Sequence, residues 1–374
     1  MNDLPASFTF THVLKRFRLT TVLLALTVLL GLFDPRPVRD WMAWLDPHVL
    51  AGLMALLAVA QGIRDSGWVQ RLARRILRHV HSQRALVLWL LLVAALAAMV
   101  LTNDVSLFLV LPLTLALCEQ VALPRLRVVT LVALAVNAGS TLSPLGNPQN
   151  LLLWRHAGIG MGHFVMAMTP VVGLMGIVLL FFVWRLVPAR ALERVEAPPP
   201  RSPRDAALGR VSLLLLVLLL VLLQMKASYL ALAGVGGVFL AWRRGVLARL
   251  DWILLLNIAL MFVGLGHLAD LPIMHAVVGH LGLTDPHRVL LVGVALSQLV
   301  SNVPATVTLL PHVPDLMLLA VAVNVGGSGL AIGSLANLIA LRLEGGKAIW
   351  RVFHRISVPY LVLVFALTWG YLSV

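Results

Sequence analysis

The stretch TNDVSLFLVLP, from Thr102 to Pro112, places three polar side chains, one of them acidic, inside an otherwise apolar run. A second stretch, SNVPATVTLLP, from Ser301 to Pro311, repeats its pattern, because in both a proline follows an asparagine by nine residues. Polar groups in the middle of a membrane segment are costly and usually have a function. The two stretches therefore predict two matched breaks in membrane helices.

The composition supports a membrane protein. The chain has 374 residues, of which 60% are hydrophobic and 12% charged, more apolar surface than a soluble core could bury. Its long runs of Leu, Val and Ala indicate helices rather than barrel strands. The net charge of +14 comes from arginines in short loops, which favours positive-inside topology over a nucleic-acid partner. We predict an all-α polytopic protein with about nine full spans in the lipid bilayer and a cytoplasmic N-terminus.

A proline-rich, charged stretch at 188–210 is typical of a cytoplasmic linker and divides the chain in two. Around it we predict an N-terminal helix with an outer loop at 1–46, a first repeat at 47–187, two scaffold helices at 211–250 and a second repeat at 251–374. The first repeat is expected to contain an interfacial helix at 67–82, a hairpin at 85–120 and a broken helix at 128–154. The second is expected to contain a hairpin at 288–313 and a broken helix at 315–342.

A second pair of motifs strengthens the repeat. NAGSTLSPLGNPQN begins at Asn137 and NVGGSGLAIGSLAN begins at Asn324, and both have Gly, Gly and Asn at +2, +9 and +13. Four matched positions at identical spacing indicate an internal repeat. The predicted topology runs the two copies in opposite directions across the membrane, which is the inverted arrangement typical of secondary transporters.

Irregular backbone at membrane depth is tolerated only around a protein-lined cavity. We therefore predict two re-entrant hairpins with tips at Asn103 and Asn302, and two broken transmembrane helices. Ordinary spans joined by a tight turn are the alternative. Opened helices offer N-termini to an anion and carbonyl groups to a cation, so the breaks predict a site for a small ion.

The motifs TNDVSLFLVLP, GNPQN, SNVPATVTLLP and IGSLANLIAL resemble those of the ion-transporter superfamily. That superfamily includes arsenite permeases, NhaD-type sodium/proton antiporters, citrate permeases and divalent-anion/sodium symporters, and the resemblance is closest to YbiR-type inner-membrane permeases. It implies a scaffold, a mobile transport domain, elevator-like alternating access, a homodimer and a bacterial inner-membrane location. The symporters carry Ser-Asn-Thr at both tips, whereas this chain has Asp104 and Val303 in the third position. That difference disfavours dicarboxylate transport by the symporter chemistry.

The predicted substrate- and ion-binding residues lie in the tips and the broken helices. They are Thr102, Asn103, Asp104, Asn137, Ser140, Thr141, Gly146, Asn147, Asn150, Ser301, Asn302, Thr306, Asn324, Gly326, Ser328, Gly333, Ser334 and Asn337. Each tip asparagine could cap a helix or bind an ion. The four asparagines of the broken helices could form only interhelical hydrogen bonds. An asparagine would cap as well as Asp104, so we favour Asp104 as a proton or sodium coupling site, with sodium at Asn103 and Asp104.

The sequence thus predicts a secondary transporter of a small anion or oxyanion, coupled to protons or sodium and without a prosthetic group. A sodium/proton antiporter is the second interpretation. An intramembrane hydrolase is the third, because GGSG at 326–329 matches the G-x-S-G of intramembrane serine proteases. The companion motif AGST at 138–141 favours a transport role for both.

Overall fold

The computed structural model describes residues 18–193 and 205–373. This part of the chain forms nineteen α-helices and one 3-10 turn, and its only β-structure is an isolated bridge between Ser82 and Ala191. The prediction of an all-α protein is confirmed. Of the predicted linker at 188–210, residues 194–204 lie outside the described residues and residues 206–210 are helical. Residues 1–17, at the N-terminus that was predicted to be cytoplasmic, also lie outside the described residues.

The N-terminal part contains four helices. They are α1 (Arg18–Phe33), α2 (Val38–Leu45), α3 (Pro47–Asp65) and α4 (Trp68–Ile76). Asp46 starts α3 by accepting a hydrogen bond from the Val49 amide at 3.1 Å, and Pro47 occupies the first helical position. The short helix α2 lies where the sequence predicted only a loop. Helix α4 ends before the predicted limit of 82, because the chain turns after Ile76 and forms the bridge at Ser82.

Five helices complete the first half, by which we mean residues 47–187. They are α5 (Gln83–Val100), α6 (Asn103–Cys118), α7 (Arg125–Thr141), α8 (Pro148–Ala157) and α9 (Met161–Leu186). The chain is not helical between α5 and α6, which we call the first tip (101–102), nor between α7 and α8, the first break (142–147). Both interruptions lie within the hairpin and the broken helix that the sequence predicted.

The middle of the chain contains α10 (Ala206–Gln224), α11 (Ser228–Trp242), α12 (Arg244–Ala248), α13 (Trp252–Ala269) and α14 (Pro272–His280). Asp205 starts α10 by accepting from the Leu208 amide at 2.8 Å. Two scaffold helices were predicted at 211–250, and α12 is a third, short one. Helices α10 and α11 pack against α3, and α13 packs against α1 and α2.

The second half, residues 251–374, repeats the interruptions. After α13 and α14 it contains α15 (Pro286–Val300), α16 (Asn302–Leu309), α17 (Leu316–Gly326), the 3-10 turn (Ala331–Gly333), α18 (Leu335–Glu344) and α19 (Lys347–Tyr371). The second tip is Ser301, and the second break is 327–334. Within each half the same packing recurs, α5 on α7 and α15 on α17. Between the halves, α17 contacts α8 and α18 contacts α7. The two breaks therefore meet inside the protein.

Six helices of the described chain are long and apolar enough to cross a membrane, namely α3, α5, α9, α10, α13 and α19. This confirms a polytopic membrane protein. The predicted spans at 128–153 and 316–341 are each divided into two shorter helices, and α1 and α11 have 16 and 15 residues. The count of nine spans stays a prediction. So does the choice between re-entrant hairpins and ordinary spans, because α5 has 18 residues and is long enough to cross.

Candidate functional site

The first tip is fixed to the first break by the backbone. The Asn103 amide donates to the Gly146 carbonyl at 2.8 Å, and the Asn103 side-chain oxygen accepts from the Asp104 amide at 2.8 Å. The Thr102 hydroxyl caps α6 by accepting from the Val105 amide at 3.4 Å. Asn103 therefore acts structurally here, and its helix starts next to the start of the broken-helix segment α8.

The second tip is fixed by a side chain. Ser301 has a positive φ of 73°, a strained conformation for a residue other than glycine. One turn earlier, Gln298 donates to the carbonyls of Gly326 and Ser328 and accepts from the Leu330 amide at 2.7 Å. Gln298 thus joins the helix before the tip to the second break, which holds the strained turn in place.

Four asparagines connect the two breaks in a reciprocal way. Asn137, before the first break, donates to Asn337, after the second, at 2.9 Å. Asn324, before the second break, donates to Asn150, after the first. All four are at most 4% exposed. In both contacts, the first asparagine of one break motif bonds to the asparagine at +13 of the other. This is expected if the two halves are related by an internal two-fold axis.

The same asparagines satisfy the carbonyl groups that the breaks leave open. The Asn150 amide donates to the carbonyls of Ser140, Thr141 and Ser143 at 3.1–3.2 Å. The Asn337 amide donates to those of Gly327 and Leu330 at 3.0 and 3.2 Å. Unpaired carbonyls inside a protein are destabilising, so these bonds let the helices stop in the interior.

Apart from Ser328, the other predicted polar residues of the breaks also have partners within the network. The Asn147 side-chain oxygen accepts from the backbone N–H of Asn150 at 2.9 Å. The Asn147 side-chain nitrogen donates to the side-chain oxygen of Asn324 at 2.8 Å. The hydroxyls of Ser140 and Thr141 donate to the Asn137 carbonyl at 2.9 and 2.8 Å. Further bonds join Thr141 to Asn324, Ser334 to Asn137, and Thr306 to the Asn302 carbonyl. A Cβ at Gly333 would lie 2.8 Å from the Gly326 carbonyl oxygen, and one at Gly146 would overlap the Ser140 backbone.

A cavity of about 440 Å³ lies where the tips and breaks converge. It is lined by the first residues of four helices: α6, α8, α16 and α18. These are Asn103 and Asp104, Pro148 and Gln149, Ser301 to Pro304, and Ser334 and Leu335. A helix N-terminus has a partial positive charge, even where its first N–H groups are already bonded, as they are at α6. Four of them around one cavity make an environment suited to an anion.

The opposite wall is apolar and comes from α13 and α2. Its residues are Ala43, Trp44, Met261, Phe262, Leu265, Gly266 and Ala269. Asp46, Asp270 and His275 form the rim, with 3.3 Å between His275 Nε2 and Asp270 Oδ1. None of the described residues that line the cavity is a lysine or an arginine. A bound anion would therefore meet helix ends rather than a basic side chain.

A second group of charges lies behind Trp44. The ring of Trp44 stacks on the buried His267 with 4.6 Å between centroids, and His267 Nε2 lies 3.1 Å from Asp34. In the loop after α1, the hydrogen bond from Arg36 holds the pKa of the Asp34 carboxyl below its usual value. This group braces the apolar wall and does not line the cavity.

The predicted site residues fall into two groups. Five of them line the cavity: Asn103, Asp104, Ser301, Asn302 and Ser334. The others lie in the tips and in the hydrogen-bond network behind the cavity, and their role as ligands stays a prediction. Sequence reasoning missed Gln149 and Gln298. The signal for each was a glutamine close to a break, in GNPQN and in LSQLVSN.

Three polar side chains of this region have buried atoms without a hydrogen-bond partner among the described residues. They are Asp104 (Oδ1), Gln149 (Nε2 and Oε1) and Ser328 (Oγ). Asp104 and Gln149 line the cavity and Ser328 does not. Such groups are rare in folded proteins and often mark a ligand site.

Known proteins with similar sequences are transporters or membrane proteins. The sequence profile of the citrate transporter family matches residues 10–316. The inner membrane protein YbiR of Escherichia coli (strain K12) is 37% identical over 360 residues, which cover 95% of each chain. The uncharacterized transporter MJ0456 of Methanocaldococcus jannaschii is 28% identical over 328 residues, 86% of this chain and 87% of its own. The silicon efflux transporter LSI3 of Oryza sativa subsp. japonica is 27% identical over 187 residues, 49% of this chain and 37% of its own.

Proposed function

Because the chain belongs to the citrate transporter family, we propose that it is a secondary active transporter of a small anion or oxyanion in the bacterial inner membrane. Relatives named as transporters and an inner membrane protein support this assignment. The intramembrane hydrolase is not proposed, because the family is one of transporters and not of enzymes.

The observation that carries the proposal is the convergence of four helix N-termini on one cavity. Each contributes the equivalent of about half a positive charge, and each is typically worth about 0.3–1 kcal/mol to a nearby anion. Together they provide an attraction of a few kcal/mol, enough for binding and small enough for release. With no lysine or arginine among the described lining residues, this suits a small, singly charged or partly protonated anion better than a multivalent one.

Asp104 supplies the coupling in this proposal. It is 8% exposed, and no described residue forms an ion pair with it. A carboxylate about 4 Å from an anion would repel it by about 4 kcal/mol at an effective dielectric constant of about 20. That repulsion matches the combined attraction of the helix ends. Binding therefore requires Asp104 to hold a proton or a sodium ion, and the anion and the cation bind together.

The position of the cavity suits an elevator-like mechanism. It lies between the helix starts of the tips and breaks on one side and α13 with α2 on the other. We propose that the tips and broken helices carry the ion past this apolar wall, as the resemblance to elevator transporters implies. The rim at Asp46 and Asp270 belongs to loops that positive-inside topology places outside, so the cavity opens outward. A homodimer built on the scaffold helices is part of the same proposal.

A sodium/proton antiporter is the second candidate, and one observation favours it. Asp104 is the only ionisable residue among the described lining residues that belongs to a tip or a break, and the rim adds Asp46 and Asp270. A cavity that binds cations alone would use these carboxylates and leave the helix N-termini without a ligand. The four N-termini are the reason that we rank the anion transporter first.

The test combines binding and flux. Purified protein is heated with sodium, lithium, phosphate, bicarbonate, sulfate, arsenite or carboxylates, and the same ions are followed in proteoliposomes under pH or sodium gradients. We expect one class of anion to stabilise the protein, by about 2.7 kcal/mol at a hundred times its Kd, and to be driven by one gradient. Stabilisation by sodium alone, with proton movement and no anion flux, would support the antiporter instead.

A further inference from the structure

We propose that Gln149 contacts the transported anion directly and selects oxyanions that carry at least one O–H group. This rests on the proposed function and specifies the ligand of the same cavity. Both polar side-chain atoms of Gln149 are buried there without a hydrogen-bond partner among the described residues.

Gln149 lies in the first turn of α8, directly after the capping residue Asn147 and Pro148. It is 1% exposed and lines the cavity together with Asp104. Neither Nε2 nor Oε1 has a hydrogen-bond partner among the described residues. The side-chain amides of the neighbouring Asn147 and Asn150 bond to residues around the first break and to Asn324 of the second half. The polar capacity of Gln149 is therefore not used by the local structure.

The second half shows that the fold does not require a polar residue at this position. Counted from the first asparagine of each break motif, Gln149 and Ala336 both lie at +12. Ala336 is fully buried in the first turn of α18, the equivalent helix, and it has no side-chain amide. A buried amide without partners destabilises a protein compared with an apolar side chain of the same size. Retaining it in the first half indicates a ligand that completes its hydrogen bonds.

The amide group defines the chemistry of that ligand. Nε2 donates and Oε1 accepts, so the complement must both accept and donate. The positive ends of the helices around the cavity suit deprotonated oxygens. An oxyanion that keeps an O–H group satisfies both, because its charged oxygens face the helix ends while its hydroxyl donates to Oε1. Hydrogen phosphate and bicarbonate, both partly protonated, fit this description. Sulfate and nitrate have nearly the same shapes but no hydroxyl, and they would leave Oε1 unpaired.

The experiment compares two glutamines with opposite surroundings. Gln298 has its amide fully bonded to the second break and lies outside the cavity. Gln149→Met and Gln298→Met are therefore matched variants of one chemical change. The full-length protein is titrated at pH 7 with two pairs of probes, hydrogen phosphate against sulfate and bicarbonate against nitrate, by calorimetry and by thermal shift.

We expect wild-type protein to bind one hydroxyl-bearing probe about 10- to 100-fold more tightly than its partner, the usual effect of one unpaired buried polar group. Gln149→Met should lose this preference while its melting temperature stays equal or rises. Gln298→Met should melt at a lower temperature and keep the preference. A structural role for Gln149 would lower stability and leave the selectivity unchanged.

Two results would overturn the inference and leave the proposed function standing: equal affinity of the wild type for both members of every pair, or an unchanged preference in Gln149→Met. If the wild type binds no anion in the wider screen and responds to sodium alone, the proposed anion transport fails and the selectivity of Gln149 fails with it.

Discussion

The two halves of the molecule share a framework and differ in the side chains that complete it. In the first half, Asp104 follows the tip asparagine and Gln149 follows the break, and both have buried atoms without partners among the described residues. In the second half the matching positions are Val303 and Ala336. There the polar side chain near the tip is Gln298, whose bonds all go to backbone groups.

The position of Gln298 in the second half corresponds to Met99 in the first, four residues before the tip asparagine. Met99 contributes only its carbonyl, which accepts from the Ser143 hydroxyl. The first tip is thus held by the backbone bond from Asn103 to Gly146 and by the Ser143 hydroxyl of the break, which leaves Asp104 available to the cavity. The second tip is held by the Gln298 side chain. The repeat supplies the common geometry, and the asymmetry between the halves concentrates the ion chemistry in the first.

Replacing Asp104 with valine, the residue at the matching position 303, should have the largest effect on transport. We expect Asp104→Val to abolish the response of transport to pH or sodium gradients, because no carboxylate remains to hold the cation. Its stability should stay equal or rise, since an acid at membrane depth costs about 2.5–3.5 kcal/mol on insertion scales. Flux in proteoliposomes and thermal unfolding measure the two effects.

Val303→Asn is the control for a polar change at the second tip, and it should leave the gradient dependence intact. Asp104→Asn keeps a capping side chain and removes the charge, so it should behave like Asp104→Val in flux. Unchanged pH and sodium dependence in both Asp104 variants would assign Asp104 to capping the helix and remove the asymmetry at the tips.

The two halves differ less where α5 crosses α7 at Gly139 and α15 crosses α17 at Gly326. A Cβ at Gly139 would lie 2.5 Å from the Ala95 Cα, so the obstacle is backbone. At the matching Gly326, the nearest atoms belong to the Ser297 side chain, at 2.6 and 2.7 Å, with the Val294 Cα at 3.1 Å. We expect Gly139→Ala to destabilise by about 3 kcal/mol or more and Gly326→Ala by about 1–2 kcal/mol. Thermal unfolding in detergent compares them.

Gly237→Ala in α11 is the control, because no heavy atom lies within 4 Å of its added Cβ. It should be neutral or stabilise by about 0.5–1 kcal/mol, the usual gain in a helix interior. Equal losses for the two crossing glycines would mean that the backbones of both halves adjust equally well.

Much of the fold could be predicted from the sequence, because its signals are local and periodic. Hydropathy and the matched spacing from Asn137 and Asn324 located the interruptions to within a few residues. The small helices α2 and α12 were not predicted, because neither has the length or the apolar character of a membrane span. Helix α4 was predicted too long because the chain after Ile76 forms turns that hydropathy does not detect.

The site could be predicted only in outline. The matched spacing predicted that the tips and the breaks form one site. It does not distinguish a polar residue that bonds its neighbours from one that faces a cavity. Asn150 and Gln149 are adjacent in sequence and both buried, yet the first has partners for its amide and the second has none among the described residues. That difference depends on the turn of α8 and on which carbonyls the break leaves open, and both follow from tertiary structure.

The reciprocal asparagine contacts offer the finest test of the relation between the halves. Double-mutant cycles of Asn137→Ala with Asn337→Ala, and of Asn324→Ala with Asn150→Ala, measure the two contacts separately by thermal unfolding. Buried contacts of this kind typically give coupling energies of about 0.5–3 kcal/mol. We expect both values in that range, with the second larger because its hydrogen bond is shorter, 2.5 Å against 2.9 Å.

Asn150 and Asn337 do not hydrogen-bond to one another, so their cycle serves as the control: it measures only the coupling that the rest of the network transmits, and it should give a smaller value than either direct contact. Coupling in only one of the two contacts would show that the halves are joined asymmetrically at the breaks as well as at the tips. Similar coupling in both would confine the asymmetry to the cavity, where Asp104 and Gln149 lie. The asparagines would then stabilise the frame in which those two side chains act.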